Sequence, residues 1–151
     1  MLEAGPTPRK RRAPHPTVAD LMRREFISVP AQEPLLDAQR TMRLARLRHL
    51  VVVENDVLVG ILSYRDLQDA VLERATSESG VASLEALRDV PVRDAMVAAP
   101  YYVRPETPLD EAARRMLRLR LGCLPVCENG GGTLRLVGLL TESDLLRAAW
   151  R

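Results

Sequence analysis

The sequence predicts an α+β fold in which two β-α-β-β-α units pack sheet to sheet with pseudo-twofold symmetry. The first observation is an internal repeat: the segment Val18–Met22 resembles Val92–Met96, which lies 74 positions further along the chain. This offset persists through a unit of roughly 55 residues, and it becomes 78 after a four-residue insertion, where Gly60 matches Gly138. The second observation is that helical and strand-like hydrophobic periods alternate inside each copy. Because the matching residues occur in the same order in both copies, with a single insertion, the sequence indicates a duplicated unit.

Each copy predicts the same order of elements. A short helical turn leads into an extended piece, and a helix then begins near a proline, which is a favoured residue at helix starts. A continuous apolar strand follows, typical of a strand buried on both faces, then a second strand and a closing helix. The expected turns are Val18–Arg23 and Val92–Val97, the first helices Leu35–Leu47 and Leu109–Leu121, the second strands Val57–Leu62 and Leu134–Leu140, and the closing helices Tyr64–Arg74 and Glu142–Trp150. The first hairpin turns at Asn55-Asp56, and we expect a longer loop at residues 129–132 in the second.

The expected domain organisation is a disordered basic tail over residues 1–16, one repeat over 17–74, a linker over 75–90 and a second repeat over 91–151. The linker is rich in Ser, Glu and Gly, and its Leu84 and Leu87 fit a short helix. The chain of 151 residues is long enough for one compact domain or two small ones with a shared core.

Composition excludes several classes of protein. No apolar run reaches the roughly 18 residues of a membrane span, and residues 1–16 lack the hydrophobic stretch of a secretory signal, so we expect a cytoplasmic protein. Beyond the tail, which holds Arg9, Lys10, Arg11 and Arg12, basic and acidic groups nearly balance. A solvated tail is therefore favoured over nucleic-acid binding. Lys10 is the single lysine, which excludes a phosphate-binding or Schiff-base lysine in the core.

Metal and thiol chemistry also find little support. Cys123 and Cys127 are not at zinc-ligand spacing, and on a strand they would lie about 13 Å apart, too far for a disulfide. His15 is the only other histidine besides His49, so the sequence lacks a set of metal ligands and predicts no metal site.

One motif at the start of each closing helix combines Gly, two apolar residues, Ser or Thr, and an Asp three residues later. It reads Gly60-Ile61-Leu62-Ser63-Tyr64-Arg65-Asp66 in the first copy and Gly138-Leu139-Leu140-Thr141-Glu142-Ser143-Asp144 in the second. Helix capping alone accounts for the hydroxyl and the acid. The same geometry also suits a phosphate at the helix N-terminus, and an aspartate there can accept hydrogen bonds from two ribose hydroxyls.

These motifs, together with the apolar-Pro-Val strand Gly122-Cys123-Leu124-Pro125-Val126, resemble a tandem pair of CBS domains, also called a Bateman module. The resemblance covers about residues 17–150, with one departure, Val51, which stands where the family has proline. It implies a non-catalytic regulatory module that binds AMP, ADP, ATP or S-adenosylmethionine in clefts between the repeats and passes its state to an unknown client protein. It also implies a homodimer formed through the amphipathic helices, with Trp150 as a contact.

The resemblance carries two sets of ligand-binding residues over to this sequence. The first cleft takes Met22, Ile27, Arg48 and His49 from the first copy and Thr141, Ser143 and Asp144 from the second. The second cleft takes Ser63, Arg65 and Asp66 with Met96, Tyr101, Gly122 and Cys123. Asp66 and Asp144 would hold ribose, and Arg65 or Arg48 would supply positive charge to a phosphate. The alternative is a degenerate pair that folds and dimerises without a ligand.

Overall fold

The computed structural model describes residues 15–75 and 83–150. All but the last two residues of the expected tail, and residues 76–82 of the expected linker, lie outside the described residues. The first repeat contains β1 (Ser28–Val29), α1 (Leu35–Ala45), β2 (His49–Glu54), β3 (Val57–Ser63) and α2 (Tyr64–Arg74). The second contains β4 (Val97–Ala98), α3 (Leu109–Leu119), β5 (Cys123–Gly130), β6 (Thr133–Thr141) and α4 (Glu142–Ala149). Short 3-10 turns occupy Val18–Asp20, Leu84–Leu87 and Val92–Asp94.

The α+β class and the order of elements are confirmed, whereas the longer loop expected in the second hairpin is wrong. Strand β5 continues to Gly130, and only Gly131 and Gly132, at φ +61° and +89°, form the turn. The first hairpin turns in the same way at Asn55 and Asp56, whose φ angles are also positive. Two-residue turns with positive φ match the twist of antiparallel strands. The four-residue insertion therefore lengthens the strands instead of the loop.

The strands follow the order β1-β2-β3-β6-β5, with β4 paired to β3. Strand β1 runs parallel to β2, and the β2–β3 and β5–β6 hairpins are antiparallel. The two repeats join along the strand path at one pair, Val57 with Arg135. Among the described residues, none of the helices combines the length and the apolar character that crossing a bilayer requires.

The opening turns, Val18–Asp20 and Val92–Asp94, are exchanged between the repeats. The amide of Val18 donates to the carbonyl of Thr107 in the second repeat at 2.9 Å, and the amide of Val92 donates to Glu33 in the first at 2.8 Å. Val18 and Val92 are both fully buried, each in the core of the other repeat. This exchange ties the repeats together and brings the segment after each turn to their boundary.

Three apolar clusters account for the burial. One lies between the helices and strands of the first repeat, one lies in the second repeat, and one is shared by the β2–β3 and β5–β6 hairpins. In β2, Leu50 and Val52 belong to the first cluster, whereas Val51 belongs to the cluster shared by the hairpins, which also contains Cys123 and Cys127. Alternate side chains of a strand point to opposite faces, so both faces of β2 are buried. This explains the continuous apolar run.

Candidate functional site

A groove of about 670 Å³ lies between the two repeats. The first repeat contributes the segment after its opening turn and the connection from α1 to β2, and the second contributes the end of β6 and the start of α4. The lining residues are Arg23, Glu25, Phe26, Ile27, Ala45, Arg46, Leu47, Arg48, His49, Gly122, Leu139, Thr141, Glu142, Ser143 and Arg147. The volume falls within the roughly 300–1,000 Å³ range of small-molecule sites.

The end of α1 places an arginine beside the groove. Arg46 adopts the left-handed conformation, with φ +54°, and the amide of Leu47 donates back to the carbonyl of Met42 at 2.9 Å. This arrangement is a common way to terminate a helix, although glycine is the usual residue at the left-handed position. The chain then turns sharply into β2, and residues 46–49 face the groove as a short basic segment.

The start of α4 forms the opposite wall. Thr141 accepts a hydrogen bond from the Asp144 amide at 3.3 Å, and the Asp144 carboxylate accepts from the Thr141 amide at 3.0 Å, so the capping box expected from sequence is present. The amide of Glu142 donates to the carbonyl of Gly122 at 3.0 Å. These bonds hold the first turn of α4 against the start of β5.

An ion pair crosses between the repeats at this wall. The Nε atom of Arg23 donates to Oδ1 of Asp144 at 2.8 Å, and backbone hydrogen bonds in both directions hold Arg23 to Leu139 of β6. Burial by itself raises the pKa of the Asp144 carboxyl, but hydrogen bonds from Thr141 and Arg23, with the charge of Arg23, outweigh it and lower the pKa. Asp144 is therefore a buried, ionised carboxylate at the repeat boundary.

His49 lies between the groove and a neighbouring cavity of about 590 Å³. Its ring faces Gly122, where an added Cβ would lie 2.9 Å from the ring Cε1 atom, so glycine leaves room for the imidazole. Burial lowers the pKa of His49 more than the Asp66 carboxylate raises it. The imidazole therefore favours its neutral form.

The charges lining the groove favour an anion. Its lining contains four arginines, Arg23, Arg46, Arg48 and Arg147, and two glutamates, Glu25 and Glu142. The 590 Å³ cavity shares Arg46 and Arg48 and adds Arg65, with no acidic residue in its lining. A phosphate group would find guanidinium donors in either place.

The structure brings most of the first predicted cleft together. Ile27, Arg48, His49, Thr141 and Ser143 all line the groove. Asp144 does not line it directly, but it is hydrogen-bonded to Arg23 and Thr141, which do.

Met22 lies away from the groove, in the core of the second repeat. There it packs on Gly138, where an added Cβ would come within 2.7 Å of the methionine sulfur. Its placement indicates packing between the exchanged turn and β6.

The second predicted set is more dispersed, and its ligand-binding role stays a prediction. Ser63 and Arg65 line the 590 Å³ cavity, whereas Asp66 lines a separate acidic cavity of about 550 Å³ with Asp94. Met96 packs on Gly60, as Met22 does on Gly138. The remaining members are Gly122, which lines the first groove, Cys123, which is buried in the cluster shared by the two hairpins, and Tyr101, which is 63% exposed and lines none of these three cavities.

Sequence reasoning missed the groove arginines other than Arg48. Arg46 carries a signal in the sequence, because the repeat also has an arginine, Arg120, at the matching position, and both residues end their helices in the left-handed conformation. Arg147 follows Ser143 by four residues, which places the two on the same face of the closing helix. Arg23 carries no such signal, since its partner Asp144 is 121 residues away and only the exchanged turns bring them together.

The thiols contribute no reactive group to the groove. Burial raises the pKa of Cys123 to about 12, with a smaller effect of the Asp144 charge, and raises that of Cys127 to about 11. Among the described residues, His, Cys, Asp and Glu side chains form no cluster suited to a metal ion.

The exchanged turns, the two capping boxes and the groove between duplicated units define a tandem CBS-domain pair. Residues 18–73 and 92–151 each match the CBS domain, and the chain belongs to this family.

Two relatives illustrate the likeness. A CBS domain-containing protein of Dictyostelium discoideum is 33% identical over 130 residues, which are 85% of this chain and 88% of that protein. The crystal structure of CBSX2 in complex with AMP superposes with a TM-score of 0.69 at 28% identity and covers 89% of this chain and 96% of CBSX2.

The family also occurs within enzymes. An inosine-5'-monophosphate dehydrogenase of Korarchaeum cryptofilum is 31% identical over 122 residues, which are 81% of this chain. The chain spans only 22% of that enzyme. The similarity is therefore to a CBS region and gives no evidence of catalysis here.

Proposed function

We propose that the chain is a regulatory module that binds a phosphorylated adenosine ligand, of the AMP, ADP or ATP class, in the groove between its repeats. The observation that carries the proposal is the groove itself, because both repeats contribute to it and arginines dominate its charge. The AMP complex of CBSX2 supports the choice of ligand class. S-adenosylmethionine, the other ligand that the family resemblance implies, fits the arginine lining less well because its sulfonium carries a positive charge.

Aliphatic side chains provide the surface for the purine. Ile27, which is 41% exposed, lines the groove with Leu47 and Leu139, and Phe26 adds a benzyl side chain to the lining. Such a surface binds adenine through apolar contact, while the backbone of the adjoining strands supplies hydrogen-bonding groups.

The polar wall takes the sugar and the phosphate. Asp144, at the start of α4, is the acceptor for ribose hydroxyls, and Ser143 adds a neutral hydroxyl beside it. Arg48 and Arg147 reach the phosphate from opposite repeats. Since the ligand then contacts both repeats, binding favours one arrangement of the pair, to the extent that the ligand prefers that arrangement.

The 590 Å³ cavity accommodates the remaining anionic groups of a longer ligand. It adjoins the groove through Arg46 and Arg48 and adds Arg65 and Ser63. ATP, with two more phosphates than AMP, can extend into it, and Asp66 remains the predicted ribose acceptor of a second cleft.

We propose that the module forms a homodimer and that its client protein binds this dimer. Large apolar side chains remain exposed on each of the helices α1–α4 and just after α4, namely Leu44, Leu72, Leu117, Leu146 and Trp150. Light scattering coupled to gel filtration should give twice the 16.8 kDa of one chain at micromolar concentration. A mass of a single chain would contradict the dimer.

Isothermal titration of the purified protein with AMP, ADP and ATP tests the ligand proposal. The variant Arg48→Ala should weaken binding of all three by roughly ten- to a hundredfold, since a charge-assisted hydrogen bond contributes about 1.5–3 kcal/mol. Arg43→Ala is the matched control, because Arg43 is also an exposed arginine of the first repeat but does not line the groove. Absence of heat and of any melting shift with all three nucleotides would refute the proposal.

A degenerate pair that binds no ligand is the second candidate. The observation in its favour is that both capping boxes are complete, so Ser63, Asp66, Thr141 and Asp144 already have a structural role. The same titration decides between the two, since a degenerate pair dimerises but takes up no nucleotide.

A further inference from the structure

Arg23 is hydrogen-bonded to the carboxylate of Asp144, to which the proposed function assigns the ribose hydroxyls. Oδ1 of Asp144 accepts from the Arg23 Nε atom at 2.8 Å, and Oδ2 accepts from the Thr141 amide at 3.0 Å and from its hydroxyl at 2.7 Å. Both carboxylate oxygens therefore have donors within the protein. The Asp144 side chain is 7% exposed, whereas that of Arg23 is 40% exposed and lines the groove. Arg23 can consequently leave Asp144 without entering an apolar environment.

The other repeat shows that the capping box does not need this arginine. Val97 stands at the position equivalent to Arg23, and Asp66 at that of Asp144. Asp66 still accepts from the Ser63 amide at 2.7 Å and completes its capping box. Within residues 15–75 and 83–150, no donor reaches its second oxygen, Oδ1. The pairing with Arg23 is thus an additional feature of one half of the molecule, and it lies at the groove.

We propose that Arg23 is a specificity-determining residue that makes the groove select phosphorylated adenosine compounds over neutral nucleosides. This inference rests on the proposed function. Without a ligand at Asp144, the guanidinium of Arg23 keeps the pairing that the structure shows. When ribose hydroxyls take Asp144, the guanidinium moves to an anionic group of the ligand, with which it can form two parallel hydrogen bonds.

The selectivity between AMP and adenosine depends on whether the ligand offers the displaced Arg23 side chain an anionic group. Adenosine displaces Arg23 from Asp144 and offers it no anion, in a groove that already contains Arg46, Arg48 and Arg147. AMP displaces the same guanidinium and supplies a phosphate for it. The wild-type protein should therefore bind AMP more tightly than adenosine by well over tenfold.

The test compares AMP with adenosine by isothermal titration of the full chain. Arg23→Val reproduces the residue found at position 97 and should have opposite effects on the two ligands. AMP should bind roughly tenfold more weakly, because its phosphate loses a guanidinium partner, and adenosine should bind as well as or better than to wild type, because Oδ1 of Asp144 has lost its donor. Arg23→Gln, which keeps a hydrogen-bond donor without the charge, provides a second variant if valine impairs folding.

Arg24→Val is the matched control, since it removes the same charge from the neighbouring, exposed residue that does not line the groove. It should leave the ratio of the AMP and adenosine dissociation constants unchanged. Equal weakening of both ligands by the Arg23 variants, or an unchanged ratio, would overturn the role of Arg23 while leaving the proposed function intact. Failure of wild type to bind either compound would overturn the proposed function itself, and with it this inference.

Discussion

Removal of the two equivalent aspartates should destabilise the protein unequally. Asp144→Ala removes the carboxylate of the capping box, worth about 1 kcal/mol, and a charge-assisted bond from Arg23, worth about 1.5 kcal/mol at the low end of its range because Arg23 is 40% exposed. Asp66→Ala removes only the corresponding capping-box carboxylate, because Val97 stands at the position of the arginine on that side. The expected losses in free energy of unfolding are about 2.5 and about 1 kcal/mol.

Urea denaturation followed by circular dichroism measures both losses. In a chain of this length the difference of about 1.5 kcal/mol corresponds to a difference of roughly 3–6 °C in Tm. Equal destabilisation by the two variants would refute the reasoning, since it would mean that the Arg23–Asp144 pair adds nothing to the cap.

The same ion pair predicts a dependence on pH. Because the pKa of Asp144 is lower in the folded than in the unfolded protein, its stabilising contribution is present above the unfolded value of about 3.9 and is lost as the pH falls through the folded value. The stability difference between wild type and Asp144→Asn should therefore be greatest at pH 7 and shrink towards pH 2. A difference that stays constant over this range would contradict the assignment.

Three further outcomes follow from the packing. Gly138→Ala should destabilise by about 1–3 kcal/mol, because the new Cβ meets the methionine of the exchanged turn, whereas Gly130→Ala, with nothing within 4 Å, should change stability by less than about 1 kcal/mol in the same urea assay. Cys123 and Cys127 should react slowly with a thiol reagent in the native protein and rapidly in urea; fast native reaction would contradict their burial. His49 should titrate below its usual value of about 6.5 by NMR, and a higher value would show that the Asp66 charge outweighs burial.

Local pattern predicts most of the elements. The apolar run of β2 and the helical spacing of α2 are properties of neighbouring residues, and Tyr64–Arg74 forms the expected helix. Local pattern predicts the second hairpin incorrectly, and the reason is physical. A run of glycines is typical of a loop, but cross-strand hydrogen bonds extend the strands as far as Gly130.

The site is less accessible to sequence reasoning because the chain is duplicated. When two similar units pack together, their sequences do not indicate which unit receives each opening turn. The exchange of these turns decides that Arg23 meets Asp144, and the facing strands decide that Gly122 lies beside His49, in the first groove instead of the second. Ile27, Arg48, Thr141 and Ser143 reach the groove as expected, and their roles in ligand binding remain to be measured.

The central claim is that a phosphorylated adenosine ligand binds between the repeats. Titration of ¹⁵N-labelled protein with AMP, followed by heteronuclear NMR, tests it most directly. We predict saturable shifts of the amide signals of Ile27, Gly122 and Ser143, which approach the groove from both repeats. Unchanged spectra at millimolar AMP, or shifts confined to the acidic cavity around Asp66 and Asp94, would contradict the claim.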